Sequence, residues 1–231
     1  MVDNLRVVIA AAGKGSRMGT TTNKQYMLLK GAPVLSYSLD FFEKLPVVNQ
    51  IVVVCARDEV DYCKEEIIKR FKFNKVAAVV PGGQERQDSV WAGLQQLGAD
   101  TDLVAVHDGA RPVLSAEVLT RLLAEAREWG AAIPGIASRD TVKLGDRDGF
   151  VRQTLDRTSV YAIQTPQVFN YTELVTAYRE AREEEFLGTD DASLFERYIG
   201  RVKIVPGDYN NIKITTPQDM IVAEALLRGR V

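Results

Sequence analysis

Short apolar runs alternate with longer amphipathic stretches along most of this chain, and that rhythm limits its possible folds more than any other feature. Residues 7–11, 51–55, 76–80 and 103–106 read as buried strands, and another strand starts at 131–133. Between them, residues 34–43, 59–71, 84–97 and 116–129 carry apolar positions at helical spacing. Strands alternating with helices of these lengths predict a parallel sheet covered on both faces. At 231 residues and 46% hydrophobic content the chain suits one large core. The expected fold is therefore α/β: a single Rossmann-like domain with a mostly parallel sheet, spanning 1–231. In such sheets ligands sit beyond the carboxyl ends of the strands, which directs attention to the loops after Ala11, Val80 and Val106.

The rhythm breaks after residue 136. Thr141 to Leu144 alternates weakly, a turn cluster Gly145-Asp146-Arg147-Asp148-Gly149 follows, and residues 150–155 alternate again. The pattern is a β-hairpin arm, 136–157, with little apolar content. An isolated hairpin is marginal in water, so it rests either on its own domain or on a partner subunit. Beyond it, residues 160–163, 202–205 and 212–214 read as strands, and 171–185, 190–198 and 218–227 as helices. In Gly188-Thr189-Asp190-Asp191-Ala192-Ser193 the acids open a helix, where N-caps and first-turn carboxylates are favoured.

Bulk properties exclude some functions. A net charge of −2 lacks the footprint of a general nucleic-acid binder. The first apolar run ends at Gly13, too short for a membrane span or a secretory leader. Cys55 and Cys63 have no metal-ligand spacing, Cys55 closing an apolar strand as a core residue. Two such thiols fit a reducing compartment, and the expected location is cytoplasmic.

The loop after the first strand reads Ala11-Ala12-Gly13-Lys14-Gly15-Ser16-Arg17-Met18-Gly19. Small residues let backbone N–H groups approach an anion, and Lys14, Arg17 and Lys24 add positive charge. This composition makes a phosphate cradle. It is neither a dinucleotide fingerprint, whose third glycine would fall at Met18, nor a P-loop.

Ala11-Ala12-Gly13-x-Gly15-x-Arg17-Met18 followed by Lys24-Gln25 resembles the signature of the sugar-phosphate nucleotidyltransferases. Gly82-Gly83-x-Glu85-Arg86-x-x-Ser89-Val90, His107-Asp108-Gly109-Ala110-Arg111-Pro112, Gln164-Thr165-Pro166-Gln167 and Asn211-Ile212-Lys213 narrow the resemblance. Together they are similar to the 2-C-methyl-D-erythritol 4-phosphate cytidylyltransferase family of the non-mevalonate isoprenoid pathway. One departure is Ala10, where that family usually has proline.

The reaction this resemblance implies joins CTP to a small polyol phosphate and releases pyrophosphate. A phosphate monoester is already ionised at neutral pH, so the attacking group needs no strong base. That agrees with a chain holding one histidine, His107, which reads as a structural residue at a strand end. Catalysis must then come from in-line positioning and neutralisation of charge on the phosphoryl oxygens. Arg17, Lys24 and Lys213 are the candidate catalytic cations. Asp108 is the candidate carboxylate for Mg²⁺ or another divalent cation.

Nucleotide binding is expected at Ala11, Ala12, Gly13, Lys14 and Gly15 for the phosphates. For the base it is expected at Gly82, Gly83, Gln84 and Ser89, where backbone acceptors distinguish the cytosine amino group from the uracil carbonyl. The resemblance places the second substrate against Asp108, Arg111, Thr141, Arg157, Thr165 and Lys213. It further implies a homodimer in which the 136–157 arm of one subunit completes the other's site. Two readings compete: a ribitol-5-phosphate cytidylyltransferase, and a non-catalytic nucleotide-binding protein that would not need Lys24, Asp108 and Lys213 together.

Overall fold

The computed structural model describes residues 4–13 and 23–229. Lys14, Gly15 and Arg17 lie outside the described residues. In chain order the first half comprises β1 (Leu5–Ala11), a tight hairpin of β2 (Leu28–Leu29) and β3 (Ala32–Pro33), α1 (Val34–Glu43), β4 (Val48–Cys55), α2 (Val60–Tyr62), β5 (Val76–Pro81), α3 (Arg86–Leu94), β6 (Leu103–Asp108) and α4 (Ala116–Trp129). The second half comprises β7 (Ala131–Ala137), β8 (Lys143–Gly145), β9 (Val151–Thr154), β10 (Tyr161–Ile163), β11 (Gln167–Asn170), α5 (Tyr171–Glu183), α6 (Asp191–Tyr198), β12 (Lys203–Pro206) and α7 (Pro217–Arg228).

The main sheet runs β10-β7-β11-β6-β1-β4-β5, and β12 adds to β7. β1, β4, β5 and β6 are mutually parallel, as the alternation of strands and helices requires, and β12 is parallel to β7. β10 and β11 run antiparallel to β7, and β11 also to β6. β1 lies inside the sheet between β6 and β4, and its side chains alternate between two cores. Val7 and Ile9 join Leu35, Leu39, Phe42 and Leu122 on one face. Val8 joins Val90, Leu94, Phe169 and Tyr178 on the other. Two-sided burial is why this strand reads as an unbroken apolar run rather than an alternating one.

The structure differs from the sequence expectations at several points. β11 escapes a pattern search because Gln-Val-Phe-Asn holds only two apolar residues, yet it is buried between β6 and β7. The segment 59–71 is not a uniform helix: a 3₁₀ turn (Arg57–Glu59) leads into α2 and then a π-helix (Cys63–Lys69). Residues 212–214, expected as a strand, are irregular. A ladder-like bond runs from Ile214 N to Ala110 O at 2.9 Å, without a continuous pairing. The expected hairpin is present as β8 and β9, a separate two-stranded sheet with every strand residue exposed. Asp190 caps α6, accepting from Ser193 N at 2.9 Å. No helix among the described residues is long and apolar enough to cross a membrane.

α3 lies flat on the sheet because Gly93 presents no side chain there. A Cβ at this position would stand 2.5 Å from Val8 Cγ1 and 2.9 Å from Val54 Cγ2. Gly93→Val is therefore expected to lower unfolding stability by about 1–3 kcal/mol, the usual cost of overpacking a close-packed core. The shift in urea midpoint at unchanged slope measures it.

Candidate active site

Three strands deliver their carboxyl ends to one cleft. The turn after β1 brings Ala11, Ala12 and Gly13; the turn after β5 brings Gly83, Gln84 and Glu85; β6 ends in Asp108. A cavity of about 180 Å³ lies between them, and Lys24, Gln25, Arg86, Ser89, Ala110 and Lys213 also line it. Gly82 is required by close approach: a Cβ there would lie 2.6 Å from both Ala12 Cβ and Ser89 Oγ. The two glycine-containing turns are thus packed edge to edge.

Ser89 is buried, and its hydroxyl is engaged in shaping the wall. It accepts from Gly83 N at 3.2 Å and donates to Glu85 O at 3.1 Å. One lone pair remains for a ligand. Gln25 donates to Ala11 O at 2.6 Å, and both Gln25 and Asn23 donate to Glu59. The chain leaving the cradle is thereby tied to the end of β1 and to the start of the segment after β4.

Charge concentrates on the opposite wall. The Asp108 carboxylate lies 2.7 Å from Lys213 Nζ, 3.3 Å from Arg86 Nε and 3.7 Å from Arg111 Nε. Burial by itself raises the Asp108 carboxyl, but Arg86, Lys213 and Arg111 outweigh it and hold the group well below the usual carboxylate range. Lys213 reaches this position from an irregular segment pinned by polar bonds. Asn211 donates to Thr165 O at 2.8 Å, and its own carbonyl accepts from Arg111 at 2.8 Å. Lys24 Nζ donates to Ile214 O at 2.9 Å, which sets it beside the same segment.

His107 is fully buried in β6. Its Nε2 faces Arg111 O at 3.3 Å, an atom that can only accept, so Nε2 carries the proton. Nδ1 then accepts from the Thr165 hydroxyl at 3.1 Å, and that hydroxyl accepts from Asp108 N at 3.1 Å. Burial pushes the imidazole down to about 3. The network is complete with neutral histidine, which fits the structural reading of His107.

The structure brings Ala11, Ala12, Gly13, Lys24, Gly83, Gln84, Ser89, Asp108 and Lys213 to one cleft, with Gly82 directly behind. Arg111 and Thr165 are buried next to Asp108. Thr141 and Arg157 are exposed, just before and just beyond the hairpin strands, and take no part in the described cleft wall. Sequence reasoning missed Arg86, which lines the cleft and bridges Asp108 to Asp191. The only signal was its place within the Gly-Gly-x-Glu-Arg motif, because a lone arginine at a helix start carries no pattern of its own.

The surroundings of Asp108 do not fit a metal ligand. Three cationic side chains occupy the space around its oxygens. Magnesium binds through one or two carboxylates together with substrate phosphates. Asp108 and Asp191 face three cations, so the cluster carries a net positive charge that opposes a further cation at this carboxylate.

A doubly covered α/β sheet whose strand ends Ala11–Gly13, Gly83–Glu85 and Asp108 share one cleft with Lys24 and Lys213 is the arrangement of a nucleotidyltransferase-type enzyme. Residues 5–229 match the family model described as 2-C-methyl-D-erythritol 4-phosphate cytidylyltransferase. A protein of that name from Pelotomaculum thermopropionicum is 48% identical over 229 residues, covering 99% of this chain and 96% of its own. One from Caldanaerobacter subterraneus is 45% identical over 225 residues, covering 97% of this chain and 99% of the relative. The crystal structure of 4-diphosphocytidyl-2C-methyl-D-erythritol synthase from Anaerococcus prevotii superposes with a TM-score of 0.86 at 35% identity, covering 98% of this chain and 97% of that one. The chain belongs to the 2-C-methyl-D-erythritol 4-phosphate cytidylyltransferase family.

The buried neutral His107 gives folding a pH dependence of known sign. Between the ordinary histidine value near ~6.5 and the folded value, the unfolded chain binds the extra proton, so stability falls as pH drops. The expected contribution approaches ~1.4 kcal/mol per pH unit inside that window. Urea melts at pH 7 and pH 5 should show a smaller pH-dependent loss for His107→Gln than for the parent chain.

Proposed function

We propose that this enzyme joins CTP to 2-C-methyl-D-erythritol 4-phosphate, giving the cytidine diphosphate alcohol and pyrophosphate. One observation carries the reading. Lys24 and Lys213 are brought together by a single short segment, through the bond to Ile214 O and the pair with Asp108, in the cleft that Ala11, Ala12 and Gly13 also line.

A phosphate oxygen of the polyol attacks the α-phosphorus of CTP, and pyrophosphate departs on the opposite side. The attacking oxygen is already ionised at neutral pH, which suits a site whose one histidine is occupied in the core. Backbone N–H groups of 11–13, and Arg17 from the loop, are assigned to the β- and γ-phosphates. Lys24 and Lys213 are assigned to the α-phosphate and the attacking phosphate, where negative charge gathers in the transition state. Main-chain carbonyls around Gly82, Gly83 and Gln84 are assigned to the cytosine amino group, with Ser89 holding that turn in shape. A divalent cation, where bound, would neutralise charge on the triphosphate; Asp108, already surrounded by positive charge, is assigned to holding Lys213.

Asp108, Thr165 and Arg111 face the polyol in this reading. Thr141 and Arg157 would then reach the site from the arm of a second subunit. The hairpin supports this: Phe150 is 73% exposed and Val151 62%, so a sheet too small to stand alone presents apolar side chains.

Pyrophosphate release measured over four nucleoside triphosphates, with methylerythritol 4-phosphate and ribitol 5-phosphate as acceptors, tests the assignment. The expected result is preference for CTP with methylerythritol 4-phosphate; preference for ribitol 5-phosphate would overturn the acceptor. Lys213→Ala and Asp108→Ala are each expected to lower turnover by about two orders of magnitude or more with the fold intact. Near-parental rates in both would return the chain to the non-catalytic class.

A further inference from the structure

We propose that Arg86 is a positioning residue for this reaction: its guanidinium transmits the fixed position of a buried carboxylate, Asp191, to Asp108 and through it to Lys213. The proposal rests on the catalytic reading given above and extends it to a residue outside the expected site.

Asp191 is completely buried at the first turn of α6. A buried carboxylate must be paired and hydrogen-bonded. Arg86 Nη2 contacts one of its oxygens at 2.7 Å, and the Tyr178 hydroxyl donates to the other at 2.5 Å. Tyr178 is itself buried, with its ring stacked on Trp91 at a centroid distance of 5.9 Å. The Asp191 end is therefore held from two sides. The Nε edge of the same guanidinium lies 3.3 Å from Asp108 Oδ1. Because the guanidinium is planar and rigid, its two contacts are not independent. Fixing Nη2 on Asp191 fixes where Nε stands, and so orients the carboxylate that holds Lys213.

The charge balance points the same way. Asp108 and Asp191 face Arg86, Arg111 and Lys213, leaving one positive charge in excess. Lys213 has the most exposed side chain of the five, at 38%. Two carboxylates thus neutralise the two arginines, and the remaining charge faces the cleft on the lysine. Without Asp191 behind it, Arg86 would compete with Lys213 for Asp108.

The test is the double variant Arg86→Gln/Asp191→Asn, which removes both charges with side chains of similar size and leaves no buried charge unpaired. Melting temperature and circular dichroism report its fold. The expected result is a folded enzyme whose kcat falls about tenfold or more while KM for CTP stays within about twofold, the pattern of an interaction lost only in the transition state. Tyr178→Phe, which keeps both charges and the ring stack, is expected to show the same split with about a threefold loss of kcat, and it decides the matter if the double variant does not fold. Parental kcat in the folded variants would make the network purely structural and overturn the proposal. A KM for CTP raised about tenfold would also overturn it, by placing Arg86 on the nucleotide itself. Absence of turnover in the parent enzyme with CTP and methylerythritol 4-phosphate would instead sink the substrate assignment, and is read separately.

Discussion

The site depends on a single buried carboxylate at the end of β6. Asp108 carries Lys213 at 2.7 Å and stands against two arginines, one from α3 and one from the turn that follows β6. Each of those partners comes from a different part of the chain. A carboxylate taken out of water is stable only among compensating charges, so folding draws these cations to one point. The same electrostatic demand that makes Asp108 tolerable in the sheet also leaves a lysine ammonium aimed into the cleft.

The fold serves this arrangement through layer geometry. β1 is buried on both faces, and the strands beside it, β4 and β6, run parallel to it. Their carboxyl ends therefore share one edge, and the turns they feed are neighbours in space. Close packing at Gly82 and Gly93 sets the distances, one bringing two turns into contact and the other seating α3 on the sheet. α3 then presents Arg86 to the cleft from its first residue. On the far side, β11 inserts between β6 and β7 and is preceded by Gln164 and Thr165. Those two side chains reach the His107, Asp108 and Asn211 network. An antiparallel strand thus braces the catalytic edge of a mostly parallel sheet.

Much of the fold is readable along the chain because its signals are local. Helices α1 and α4 coincide with the sequence expectation, since their apolar positions recur at helical spacing over ten and fourteen residues. β11 and the 212–214 segment were misread for the opposite reason. The first is too short and polar at its ends to announce itself, and the second is apolar enough to mimic a strand while pairing with nothing continuous. Lys24, Asp108, Lys213 and Arg86 all stood in motifs that could be recognised, but the role of Arg86 follows from Asp191, 105 positions away. The three cations around Asp108 were likewise illegible in the sequence, because a carboxylate's counter-charges cannot be counted from its neighbours in sequence.

The sequence by itself determined the alternation of strands and helices, the small-residue turn after β1 and the family to which the motifs belong. All three follow from short-range chemistry: hydrophobic period, glycine content and residue spacing. Only the tertiary structure decided that Asp108 is ringed by cations, that the buried imidazole of His107 is neutral, and that a chain of contacts from Tyr178 through Asp191 to Arg86 ends in the cleft. Those outcomes depend on burial and on which charges meet. Both are set by the way distant segments fold against one another, through electrostatic forces whose strength depends on how much water that folding excludes.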